Sequence, residues 1–165
     1  MNSINRISLG LMFTLLINCA PLGAQEATAG EHDLHLSPGS LELLRAEMRA
    51  LLGGIQSLPA GIATADWKGV AETGARIRSS YILDQKITPA QRQELGSSLP
   101  DYFKRLDSDF HLEAGKLESA AINHDAQLAA FHYYRLIEAC TVCHAKYALS
   151  RFPGFAPGVI GGHGH

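Results

Sequence analysis

From residue 37 onward the apolar positions recur every three or four residues, the period of a helix with one buried face. Leu41, Leu44, Met48, Leu51, Leu52, Ile55 and Leu58 form one such stripe, with Glu42, Arg45 and Arg49 on the remaining faces. Ser37-Pro38 supplies a hydroxyl cap and a proline where a missing N–H costs nothing, and Pro59-Ala60-Gly61 predicts the stop. A second helix is expected from Asp66 to about Leu83, burying Trp67, Val70, Gly74, Ile77 and Tyr81. Thr88-Pro89-Ala90-Gln91 has the form of a capping box and predicts a short helix inside the connection that follows. Pro100 opens a third long helix with Phe103, Leu106, Phe110, Ala114, Leu117 and Ala121 on its apolar face. After the turn and cap Asn123-His124-Asp125, a fourth runs from Asp125 to about Ser150 through Leu128, Phe131, Leu136, Cys140, Cys143 and Tyr147, and Pro153-Gly154 ends it. Strand-like alternation and a fixed internal repeat are both missing from the sequence. The predicted fold class is therefore all-α, an up-down-up-down four-helix bundle with one longer connection.

The first 24 residues break this pattern. A single charge, Arg6, precedes an apolar run through Leu9, Leu11, Met12, Phe13, Leu15, Leu16 and Ile17, and the segment closes on Gly23-Ala24. This is the form of a secretory signal peptide cleaved after Ala24, and the run is too short to span a bilayer as a helix. Cys19 offers a second reading, a bacterial lipoprotein anchored at that cysteine, although Asn18 before it is a poor match to such a site. The expected organisation is a signal peptide over 1–24, a flexible segment over 25–36, the helical bundle over 37–155 and a disordered tail over 156–165. The expected location is the periplasm.

Composition narrows the function. With 46% hydrophobic and 18% charged residues the chain has the make-up of an ordinary folded domain. Its 14 basic against 16 acidic residues leave a net charge of -2, so no strong positive field exists to hold a phosphate backbone, and nucleic acid is not an expected partner. Signal cleavage leaves two cysteines, too few for a disulfide scaffold. Their setting, Cys140-Thr141-Val142-Cys143-His144, is instead the C-x-x-C-H pattern of covalent haem attachment. Thiols three residues apart share one helical face, where they can add to the two vinyl groups on one haem edge, and His144 can then present a neutral imidazole to the iron. A thioredoxin-like pair would need a strand before it and a helix after it, and a zinc site would need a second Cys or His cluster at suitable spacing. Neither context is present in the sequence.

A helical domain with this motif near the end of its fourth helix resembles the class II cytochromes c, the cytochrome c' and cytochrome c-556 family, over roughly residues 37–155. The resemblance implies one covalent haem c per chain and redox partner proteins, and several family members form a homodimer through helices 1 and 2. It also implies that a residue of helix 1 faces the iron opposite His144. In c-556-type members a methionine ligates there and the protein carries electrons. In c'-type members a non-ligating residue leaves the iron five-coordinate and able to bind nitric oxide or carbon monoxide.

Met48 is the candidate here, the one methionine left after cleavage. At 1.5 Å per residue it lies roughly 15 Å from the start of its helix, and His144 roughly 10 Å from the end of a fourth helix reaching Ser150, which puts the two within a turn of each other on antiparallel neighbours. A core methionine is the alternative, because thioethers also fill gaps well. Arg45 is the resemblance's candidate for a haem propionate, three residues before Met48 where the family spacing is usually four; a solvated arginine is the alternative. Tyr147 matches an aromatic position that follows the histidine in the family. Ala148 and Thr141 replace basic residues common there, which weakens the case for a basic docking ring around the haem. His111 and His132 are read as surface histidines rather than ligands, Trp67 as core, and the pairs His32 with His35 and His163 with His165 as lying in flexible ends. The residue set contains no acid/base or nucleophile constellation, so the sequence predicts an electron carrier rather than an enzyme. The remaining alternative is a haem-free helical module with a redox-active cysteine pair.

Overall fold

Why the chain is helical is visible at its helix starts. In a computed structural model that describes residues 34–156, Ser37 accepts a hydrogen bond from the Ser40 N–H, Asp66 from the Gly69 N–H and Asp125 from the Leu128 N–H, each satisfying a donor that the first turn of a helix leaves free. The elements are α1 (Pro38–Ala63), α2 (Trp67–Arg78), α3 (Leu83–Lys86), α4 (Pro89–Ser98), α5 (Asp101–Ile122) and α6 (Ala126–Tyr147), followed by a single 3-10 turn at Pro153–Phe155. Among the described residues there is no strand. The expectations for the leader, Cys19, most of 25–36 and the end of the tail lie outside the described residues.

The four long helices and the Thr88–Gln91 capping box match the periodicity. Several boundaries and faces differ from it. α1 continues through Pro59 to Ala63, because Pro59 is exposed and Thr64 closes the last turn with its backbone N–H and hydroxyl on the Ala60 carbonyl. α2 stops at Arg78 rather than Leu83, since Ser80 takes a left-handed conformation (φ 60°) that no continuing helix permits. α6 ends at Tyr147, not Ser150, as Ala148 leaves helical geometry. Leu52, Leu128 and Phe131, expected on buried faces, are about half exposed, and Trp67 and Tyr81 are half-buried.

Each long helix packs on the next, α1 on α2, α2 on α5 and α5 on α6, and α1 also meets α6. The α2–α5 approach is the closest because Gly74 presents no side chain there: a Cβ at that position would press on the backbone of Ala114 and Glu118. The core they enclose is Leu51, Ile55, Leu58, Val70, Ile77, Ala114, Leu117, Ala121, Ala129 and Leu136. α3 and α4 lie against α1, α4 also receives the Lys104 ammonium of α5 on its Gly96 carbonyl, and Leu95 is their single buried residue.

Candidate functional site

Cys140, Cys143 and His144 occupy the last turns of α6. Whereas Leu136 is fully buried, every residue from Cys140 to Tyr147 is half-buried or exposed, so this end of α6 is only partly covered by the other helices. Both cysteines are free thiols. Burial pushes the Cys140 thiol up, and burial together with the nearby Asp107 carboxylate and the other thiol pushes Cys143 up to about 11. Both also sit at the negative end of the helix dipole, which disfavours a thiolate further. Burial lowers the His144 pKa, so its imidazole is neutral near neutral pH. The ring stacks on Phe152 at 4.5 Å, an interaction made possible by the chain's turn out of α6 at Ala148.

Met48 lies on α1, half-buried, against a cavity of about 60 Å³. Leu51 of α1, Leu83 of α3, Leu95 of α4, and Phe103, Asp107 and His111 of α5 also line it. Those α5 residues relate Met48 to the motif. Phe103 packs edge-on against Tyr147 at 5.3 Å, and Asp107 is the carboxylate that acts on Cys143. Met48 and Cys143 thus flank the same stretch of α5. His144 is not part of the cavity wall, and it stands three residues from the end of α6, so the expected height match, counted from Ser150, is replaced by this shared α5 neighbourhood. Arg45 is exposed and lies outside the cavity wall.

Two polar features of this region were not foreseen. Glu47, next to Met48 and 3% exposed, accepts hydrogen bonds from the backbone N–H groups of Tyr81, Ile82 and Leu83 at 2.8, 2.6 and 2.9 Å. It fixes the chain where it leaves α2 and caps α3. His111, read from the sequence as a surface residue, donates from Nδ1 to the Ile77 carbonyl at 2.6 Å and holds Nε2 3.6 Å from Asp107. Burial pulls its pKa down, but the Asp107 and Ile77 contacts outweigh it and leave the group above the usual histidine value. A larger concavity, about 890 Å³, opens over α5 and α6 around His132 and Glu113. Its cations are already engaged, Arg78 by Glu118, Lys116 by Glu113 and Arg135 by Glu138, and it contains neither cysteine.

The donor set suits a covalently held haem: two half-buried thiols three residues apart on α6, a neutral imidazole beside them, and a thioether bordering the same stretch of α5. The room beside Met48 does not contain one, because pockets that enclose an organic ligand run to roughly 300–1,000 Å³. Among the described residues no three His, Cys, Asp or Glu side chains converge on a point where a bare metal ion could be held, and no helix is long and apolar enough to cross a membrane. Comparison with protein-family models, curated proteins and solved structures finds no match for the chain.

Proposed function

We propose that the chain is an exported c-type cytochrome of the class II kind, a four-helix bundle of α1, α2, α5 and α6 that carries single electrons in the periplasm. The observation that carries this reading is the placement of the C-x-x-C-H motif: both thiols are half-buried at the partly covered end of α6, and Cys143 feels Asp107 on the stretch of α5 that also borders Met48. Cys140 and Cys143 would hold haem c through thioethers, with His144 and Met48 as axial ligands. Bound there, the haem iron would supply the one-electron chemistry, and a methionine opposite a histidine favours its ferrous state. The chain's own part is to keep His144 neutral by burial and to hold it against Phe152. It also seats the half-buried Met48 on a cavity lined by Leu51, Leu83, Leu95 and Phe103. Arg45, exposed three residues before Met48, is the residue that would meet a propionate.

The proposal requires room that the 60 Å³ cavity lacks, so the wall that Leu83 of α3 and Leu95 of α4 supply would have to move outward. The high thiol pKa values speak against a haem-free redox pair, because disulfide exchange needs a thiolate near neutral pH. Optical spectra of the exported protein, oxidised and reduced, with and without carbon monoxide, test the reading. A low-spin ferrous spectrum unmoved by the gas, with a sulfur-to-iron band that disappears in Met48→Ala, is expected. A high-spin spectrum that shifts with carbon monoxide would make Met48 a packing residue and the protein a five-coordinate gas binder.

A further inference from the structure

We propose that Glu47 is the positioning residue for Met48: it pins the turn between α2 and α3 to α1 and so holds the Met48 thioether toward α5, where it, rather than a small external ligand, takes the place opposite His144. The part that concerns the iron rests on the function proposed above, whereas the pinning of Met48 does not. Glu47 and Met48 border the same cavity. Successive residues on a helix point about 100° apart, and these two side chains meet different elements. Met48 shares the cavity wall with Phe103, Asp107 and His111 of α5, and the Glu47 carboxylate takes the N–H groups of Tyr81, Ile82 and Leu83.

A carboxylate this well buried is costly unless its lone pairs are filled, and three backbone donors fill them here. The bonds also serve the receiving side. α3 has no capping side chain of its own, so Glu47 supplies the cap from another helix. The left-handed Ser80, which also borders the cavity, turns the chain just before those N–H groups. A second contact fixes the same turn: Tyr81 lies against Gly54, about two turns further along α1, so closely that a Cβ there would clash. Held at two heights, α1 cannot rotate about its axis without breaking the Glu47 bonds, and that rotation is the movement that would carry Met48 away from α5. Leu83, whose N–H Glu47 holds, is itself part of the wall beside Met48. Because the bonds go to backbone, the Leu83 and Leu95 side chains can give way while the start of α3 stays on α1.

The test uses the exported, purified full chain, labelled with carbon-13 at the methionine methyl, as the parent and as Glu47→Ala, Glu47→Gln and Leu117→Ala. Met48 is the one methionine beyond the expected leader, so its methyl gives a single resonance. Leu117→Ala opens space in the core away from the cavity and controls for lost stability alone. In Glu47→Ala the sulfur-to-iron band should weaken and the carbon monoxide-bound fraction of the ferrous protein should rise roughly tenfold, with the Met48 methyl resonance displaced toward its unfolded-chain position. Glu47→Gln, which keeps one acceptor oxygen, should recover most of the band. Leu117→Ala should keep the parent's band and methyl position although it unfolds at lower denaturant. A band and a methyl resonance unchanged in Glu47→Ala, or lost equally in Leu117→Ala, would overturn the proposal. A parent without haem, or without the band, would overturn the proposed function and with it the part that concerns the iron; the methyl resonance then decides the pinning, which stands if Glu47→Ala alone displaces it and falls if it does not.

Discussion

Glu47 shows how much a single side chain can organise. A buried glutamate in a helical stripe looks like a polar interruption in the sequence, yet it receives three backbone N–H groups from a segment more than thirty residues away. Replacing it with alanine would orphan those donors, and a stability loss of about 2–3 kcal/mol is expected in denaturant unfolding; Glu47→Gln, which keeps an acceptor, should lose less. Tyr81 is the opposite case. Its hydroxyl is buried without a hydrogen-bond partner and presses on Gly54, where no Cβ would fit. Tyr81→Phe should therefore be neutral or stabilising by up to about 1 kcal/mol, and a clear loss of stability would mean that the hydroxyl has a partner. At Cys143, the raised pKa predicts slow alkylation of haem-free chain near neutral pH, with the rate climbing as pH approaches 11. Cys140, Cys143 and His144 were legible as candidates from their spacing, and Met48 from the family resemblance that points to helix 1 and from its being the one methionine beyond the expected leader. Glu47 and His111 were not, because their partners are backbone atoms brought near only by folding.

The helices themselves were legible where a cap residue and an apolar stripe agree, as at Ser37, Asp66, Thr88 and Asp125. Periodicity failed at element ends, where Ser80 and Ala148 turn the chain, and at Leu128 and Phe131, which lie on the open side of a turn of α6 whose Ala129 is fully buried. The α3–α4 segment is tied to α1 by Glu47 and by Glu94, which accepts from the Ser37 backbone N–H and from the Ser37 and Ser40 hydroxyls at 2.5, 2.7 and 2.5 Å. Glu94→Gln combined with Ser40→Ala should raise amide hydrogen exchange across residues 83–98 while leaving α2 and α5 protected. Faster exchange throughout the chain would contradict a locally latched segment. Between α5 and α6, His132 donates to Glu113 at 2.6 Å and Lys116 donates at 2.9 Å. Burial pushes the Glu113 carboxyl up, but these bonds prevail and hold it below its ordinary value. Its stabilising contribution is then complete above the ordinary glutamate pKa, roughly 4.3, and fades as pH falls through the lower folded value. A thermal unfolding series in acid should show a drop in Tm that is smaller in Glu113→Gln.

Across the whole molecule, the helical class and the place of the motif on the last long helix followed from the sequence. The neighbourhood that unites Met48, Phe103, Asp107 and Cys143 came only from the packing of α1, α5 and α6. The site describes an electron carrier only if the two thiols are joined to haem. The most direct measurement is the intact mass of the denatured protein after export in cells with haem-attachment machinery, beside the double variant Cys140→Ser, Cys143→Ser. A parent chain heavier by one haem that survives denaturation, and a variant without that addition, is the expected result. A parent chain at its bare polypeptide mass, with both thiols open to alkylation, would contradict the account.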